Sequence, residues 1–374
     1  MLRAALPLVD FDRATLASHE AAALDDRRIA VFVAGHPSPN AESVRAAEHA
    51  LALAMESRSR GGLLVLLSGG ASAMLAAPVE SVDLDAKQET ARLLMRAGAA
   101  INELNCVRKH LSRIKGGRLA AAAGTTVTLA LSDVHAPIAD DPSVIGSGPT
   151  VADPTTFADA AAIVEQYRVQ LPVVVRQHLA AGLRGAADET VKADDPRIES
   201  SSYAVVGNRQ TAVGGARRAA IELGYDVVVV DEVIAGEASR AGESFASAAL
   251  GAATGRQRPL CVLGSGETTV TVRGGGSGGR NQEFALGSLA VLNAQAGRSV
   301  VLGSAGTDGI DGPTTAAGAL VDETTIDRAR ALGVSPQAAL EQNDAFPFFA
   351  ALQDLIVWGP TGTNVGDLHI VLLG

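Results

Sequence analysis

Pro259-Leu260-Cys261-Val262-Leu263-Gly264-Ser265-Gly266-Glu267, followed by Gly274-Gly275-Gly276-Ser277-Gly278-Gly279-Arg280-Asn281-Gln282-Glu283, decides the class of this chain. A short apolar run bounded by Pro and Gly reads as a buried strand over 259–263. The glycine-rich segments after it read as loop, and 281–294 as a helix. Between them, 268–273 alternates polar and apolar residues and reads as a half-buried strand. Strand, glycine-rich turn and helix in this order build α/β enzymes, which bind ligands at the carboxyl ends of their strands.

The pattern continues on both sides. Strands are expected at 29–34, 63–67, 126–131, 203–206, 226–230, 299–302 and 368–373. Helices are expected at 41–58, 85–100, 103–111, 157–167, 173–183, 209–223, 236–253 and 347–354. With 374 residues, 47% hydrophobic content, 40 glycines and only 3% aromatics, the composition favours covered, mainly parallel sheets. Such a length calls for at least two domains. A composition shift near 252–259 puts the boundary at 255/256, giving domains 1–255 and 256–374. The polar stretch 185–202 is the alternative break.

A formal net charge of -10 argues against a nucleic-acid partner, which needs a basic face. It leaves room for a small anion held by a local Arg or a helix N-terminus. No apolar run is long enough to span a membrane. Asp10 and Asp12 interrupt the start too early for a signal peptide, and Cys106 and Cys261 lie in apolar surroundings that suit reduced thiols. A cytoplasmic protein with a small-molecule substrate is expected, and a homodimer is compatible with it. The seven histidines show no zinc-ligand spacing. His36 and His135 read as polar loop residues.

The strongest chemical signal is the opening stretch. Glycine permits positive φ and close approach to a ligand, a helix start offers free N–H groups, and Arg280 supplies a planar cationic fork. Gly264, Ser265, Gly266, Glu267, Gly278, Gly279, Asn281 and Glu283 are therefore expected around a bound anion. Two familiar patterns match here through glycine density alone. Gly274, Gly276 and Gly279 satisfy the dinucleotide fingerprint, but the next strand ends at Gly303-Ser304 with no acid for a ribose. Gly275, Ser277 and Gly279 satisfy the nucleophile-elbow pattern, with Asp308 and His369 downstream. A Walker A loop is excluded, since the chain has no Gly-Lys pair.

Other constellations flank it. Ser68-Gly69-Gly70-Ala71-Ser72 follows a buried strand at its ligand-binding end; the competing reading is a tight turn. The basic run from Arg108 to Arg118 opposes the global charge. Within it, Lys109 and Arg113 are expected to face an anion, against the alternative of a solvated charged face. Asp133 ends a strand and suits a substrate hydroxyl or Mg²⁺. Asp308, in a Gly/Asp/Thr loop, suits Mg²⁺ carried by a nucleotide. Either aspartate could instead cap a turn.

Taken together, these segments resemble the glycerate 2-kinase family, whose carboxyl-terminal part is the MOFRL domain. The matching motifs include Gly35-His36-Pro37, Leu67-Ser68-Gly69-Gly70-Ala71-Ser72, Arg108 through Arg118, and Ser132-Asp133-Val134. Ile145 through Thr150, Gly207-Asn208, Gly264 through Val270, Gly278 through Glu283, Ser304 through Gly309 and Gly359 through Val365 complete the set. The resemblance runs from about Ile29 onward. It implies a Rossmann-like α/β/α amino-terminal domain, a second α/β domain of MOFRL type, and a cleft between them. It also implies ATP- and Mg²⁺-dependent phosphorylation of D-glycerate, or a related sugar acid, at the 2-hydroxyl. Arg280 would stabilise the moving phosphoryl group, Asp133 would handle the hydroxyl, Lys109 or Arg113 would hold a carboxylate or phosphate, and Asp308 would hold the metal.

Two departures stand out. Family members carry a Gly-x-Gly-Lys segment after their first strand, whereas this chain has no lysine before Lys87. The segment from His135 to Ala139 is longer than the family's glycine-containing step. Loss of one preorganised charge typically costs ~10²–10³ in rate, so an impaired kinase is expected. A non-catalytic paralogue that binds nucleotide or sugar acid is the alternative. An NAD(P)H-dependent hydroxypyruvate reductase, a label the family has also carried, is a third.

Overall fold

The computed structural model describes residues 1–295 and 298–374. Its strands are β1 (Ala14–Ser18), β2 (Ile29–Val33), β3 (Leu63–Leu67), β4 (Thr126–Leu131), β5 (Ser201–Gly207), β6 (Asp226–Ile234), β7 (Leu260–Gly266), β8 (Val300–Gly306), β9 (Gly318–Asp322), β10 (Leu355–Ile356) and β11 (Asp367–Leu373). The chain divides into two compact units, 1–206 and 207–374. This division falls just after the polar stretch 185–202. The expected 255/256 boundary lies inside the second unit, between the Ala238–Ala252 helix and β7.

In the first unit β1 pairs with β2, and β3 with β4, both in parallel. β5 completes the order β3-β4-β5. These strands alternate with helices, as parallel pairing requires. The Ala41–Ser57 helix starts at Asn40, whose side chain accepts the Ser43 N–H while Ser43 answers the Asn40 backbone. This reciprocal cap explains why that start was readable. One core cluster joins Leu94, Val107, Phe157 and Val175 from four helices.

The second unit is a six-stranded sheet of order β10-β9-β8-β11-β7-β6. β6 and β7 are parallel, but β11 runs antiparallel to both of its neighbours, and β9 antiparallel to β8. The expectation of mainly parallel sheets therefore fails here. The strand latest in sequence is inserted between two strands that would otherwise pair in parallel. The Arg280–Asn293 helix packs Phe284, Leu289 and Leu292 onto this sheet as part of the largest core cluster.

Several boundaries differ from expectation. β7 continues through Gly266, so Gly264 and Gly266 are strand residues instead of loop. A Cβ on Gly266 would strike the backbone of Ile234 on β6. Residues 268–273 form no strand beyond an isolated bridge at Thr269. Their amide donors turn to a side chain instead, with Arg273 N–H and Gly274 N–H both given to Asn343 Oδ1. β1, β9 and the helices Thr325–Leu332 and Pro336–Gln342 were not expected.

Candidate active site

In the second unit the geometry centres on Arg280. Its Nε and Nη2 donate to the two oxygens of Asp367 at 2.7 and 3.0 Å, and Nη1 lies 2.9 Å from Glu267 Oε1. Asp367 is fully buried at the start of β11, Glu267 follows the end of β7, and Arg280 opens its helix. Burial would weaken the guanidinium's hold on its proton, but Asp367 and Glu267 override that and raise its pKa. Arg280 is thus a fixed cation, still 29% exposed, oriented by a bidentate carboxylate.

The helix start does not present free donors, which corrects the sequence reading. Asp311 accepts Asn281 N–H at 3.0 Å and Gln282 N–H at 2.9 Å, while Glu283 N–H returns to Gly279 O. The positive end of the helix is already answered by a carboxylate. Asp311 is buried, and burial raises its pKa against the two backbone bonds. The glycine run also differs from expectation in its conformation. None of Gly264, Gly266 or the glycines at 274–279 has positive φ. Their lack of a side chain serves close approach; a Cβ at Gly279 would collide with the Asp311 carboxylate. Gly276 N–H and Ser277 N–H are likewise used, by Gln342 O and Asp344 Oδ1.

Asn281 and Glu283 lie inside the unit. Asn281 Oδ1 accepts from Ser304 Oγ at 2.7 Å, and Glu283 Oε1 accepts from Asn343 at 2.8 Å. Burial raises the Glu283 pKa. Ser265 Oγ accepts from Arg209 at 2.9 Å. Asp308 is half-buried and accepts Ile310 N–H at 3.1 Å. Behind Arg280, His369 is fully buried, stacked on Phe284 at 3.9 Å and bonded through Nδ1 to Ser304 Oγ. Burial drops its pKa to about 4. Sequence reasoning missed Asp367, a lone acid with no spacing signal, and read Asp311 only as part of the acidic loop of Asp308.

In the first unit the Ser68–Ser72 turn gathers several groups. A Cβ on Gly69 would strike the Asp133 carboxylate, and one on Gly70, at φ 77°, would meet the His36 ring. Asp133 and His36 therefore flank the same turn. The His36 pKa is lowered by burial and by His19, against the opposing pull of Asp133. Ser72 follows in the Ala71–Met74 helix.

Most of the basic run is internal, with Arg113 left partly exposed at its edge. Lys109 is 3% exposed and ion-paired with Asp153 at 3.2 Å. Arg113 donates to Pro78 O and pairs with Glu48 at 3.3 Å. Lys115 is 1% exposed and reaches Ser72. Asp141 accepts Ser143 N–H in a turn. Among the described residues no three His, Cys, Asp or Glu side chains gather to hold a metal. Among the described residues no helix is long and apolar enough to cross a membrane.

Comparison with known proteins gives the family. A family model described as a domain of unknown function (DUF4147) matches residues 3–180, and the MOFRL family matches 260–367. Glycerate 2-kinase of Pyrococcus horikoshii is 38% identical over 93% of this chain and 78% of its own length. D-glycerate 2-kinase of Thermotoga maritima is 37% identical over 95% and 82%. A crystal structure of glycerate kinase from Thermotoga maritima superimposes with a TM-score of 0.85 at 35% identity, covering 96% of this chain and 84% of that one. With two relatives at this identity spanning most of both lengths, the chain belongs to the glycerate 2-kinase family.

Proposed function

We propose that the chain phosphorylates D-glycerate at its 2-hydroxyl, with ATP as the donor and Mg²⁺ carried by the nucleotide, and that residues 256–374 form its MOFRL module. The observation that carries the reading is Arg280, a partly exposed guanidinium aligned by two carboxylates. Phosphoryl transfer needs little from a protein beyond positioning and charge stabilisation, and a cation held in one orientation supplies both. Arg280 binds the transferring phosphoryl oxygens, with Glu267 as the partner that gives way to them. Ser265 and the backbone at Gly278 and Gly279 line its approach, while Asn281 and Glu283 hold the helix start in place. In the first unit, Asp133 accepts the proton of the substrate hydroxyl, and the turn from Ser68 through Gly69 and Gly70 to Ser72 holds the sugar acid. Lys109 supports that turn's surroundings through Asp153, and Arg113 serves as a peripheral cation. A single carboxylate such as Asp308 fits Mg²⁺, which keeps waters and phosphate oxygens for most of its shell.

The test is formation of 2-phosphoglycerate from ATP and D-glycerate, separated from 3-phosphoglycerate by a coupled assay. Product at the 2-position that disappears in Arg280→Ala supports the reading. No phosphorylation at any substrate concentration overturns it. The binding-only alternative then predicts calorimetric heats with nucleotide or glycerate but no turnover, and the reductase alternative predicts NADH or NADPH oxidation by hydroxypyruvate.

A further inference from the structure

One cluster in the first unit extends from Ser72, at the end of the turn assigned to the sugar acid, to buried groups that glycerate phosphorylation does not use. Lys115 Nζ lies 2.6 Å from Ser72 O and 2.5 Å from Ser72 Oγ. Ser72 Oγ lies 2.8 Å from Ser147 Oγ, which lies 2.9 Å from Asn105 Oδ1. Lys115, Ser147 and Asn105 are 1%, 0% and 3% exposed, whereas Ser72 is half-buried. Ser72 is thus the least enclosed member of this chain.

Three features set the cluster apart from a packing contact. Lys115 has no carboxylate among its hydrogen-bond partners; both contacts are oxygens of Ser72. Burial, with Arg108 and Lys87 adding to it, drives its pKa well down, which favours the neutral amine with its lone pair. Ser147 sits at φ 63° between Gly146 and Gly148 at 60° and 59°. That conformation is costly for a residue with a Cβ, and such strain gathers where a side chain must be aimed. Ser72 itself follows a strand, a left-handed Gly70 and a helix start. This is a sharp turn of the kind that presents a nucleophile.

We propose that Ser72 and Lys115 form a nucleophilic dyad that cleaves small carboxylic esters, a second activity in the first unit. Ser72 Oγ attacks the acyl carbon while its proton passes to the Lys115 amine. The tetrahedral adduct collapses, the bond to the leaving alcohol breaks, and the Lys115 ammonium returns the proton to that oxygen. Water then attacks the acyl-serine, gives its proton to Lys115, and the Ser72 alkoxide departs with it. The sum is ester plus water giving acid plus alcohol, with Ser72 and Lys115 restored. Acyl transfer fits better than phosphoryl transfer to Ser72. A phosphoserine dianion beside a lysine ammonium would be a stable ion pair, whereas an acyl-serine is neutral and leaves the amine free for the second half-cycle.

The experiment uses the full chain without nucleotide or glycerate, so its outcome is independent of kinase activity. The probes are a fluorophosphonate and p-nitrophenyl acetate, read by intact mass, peptide mapping and nitrophenolate release. The expected result is one adduct on Ser72, lost in Ser72→Ala and slowed at least 100-fold in Lys115→Met and in Lys115→Arg, which keeps a cation but no base. Slowing in Ser147→Ala should be about tenfold. Added ethylamine should restore part of the rate to Lys115→Ala. Absence of an adduct on Ser72 in the unaltered chain overturns the proposal even if every variant misfolds. A folded Lys115→Met protein that labels at the unaltered rate overturns it as well.

Discussion

Two buried cations, one in each unit, meet opposite fates. Arg280 faces Asp367 and Glu267 and keeps its charge. Lys115 is more deeply enclosed and faces hydroxyl and carbonyl oxygens, with Arg108 and Lys87 nearby, and its hold on the proton is weakened. Burial alone decides neither case. What decides is whether a carboxylate is supplied with the cation, and whether the group can deprotonate at all, which guanidinium does not. One arrangement yields an electrostatic clamp, the other a base.

The hardest test of the clamp is Arg280→Lys, which keeps a charge but loses the fork. Turnover with glycerate and ATP should fall ~10²–10³, roughly 3–4 kcal/mol; a drop below fivefold in steady-state assays would detach the orientation of Arg280 from catalysis. Next comes Asp367→Asn, which strips the fixed partner from Arg280. Breaking a buried pair from one side costs about 3 kcal/mol, read as a shift of the urea midpoint at unchanged slope. A midpoint within error of the original would mean that Glu267 alone suffices.

His369 gives the third test, through pH. Its folded-state pKa of about 4 lies below its ordinary value of 6.5. Its stabilising contribution is therefore complete above pH 6.5 and is lost as pH falls toward 4. Between pH 7 and pH 5 the unfolding free energy should drop by about 2 kcal/mol on this account, and His369→Gln should flatten that slope in paired urea titrations. Smallest should be Lys115→Met. With no carboxylate partner, Lys115 surrenders only its hydrogen bonds to Ser72, about 1 kcal/mol. A loss as large as that of Asp367→Asn would erase the distinction between the two cations.

Legibility in the sequence followed the range of the forces involved. The helices at 41–57, 157–167 and 209–222 announced themselves because their caps are local. β3, β4 and β11 showed as apolar runs. The glycines of 274–279 stand out in the sequence, but positive φ and close packing both exclude a Cβ and only coordinates show that here it is close packing. The role of Asp367 was invisible because its partner lies 87 positions away. Lys115 was visible only as one more charge in a basic run. Its lowered pKa depends on what surrounds it, and no window of sequence around it contains Ser72 or Ser147.

The position of β11 has a consequence for how the second unit comes together. It is the last strand to be synthesised, yet it lies between β7 and β8, about a hundred residues after the first of them. Until it inserts, β6-β7 and β8-β9-β10 are separate ribbons with open edges, a long-range closure that comes late and slowly in assembly. The same strand begins with Asp367. A chain caught before that closure has Arg280 and Glu267 but lacks the bidentate Asp367, so sheet completion and full arming of the clamp are a single event.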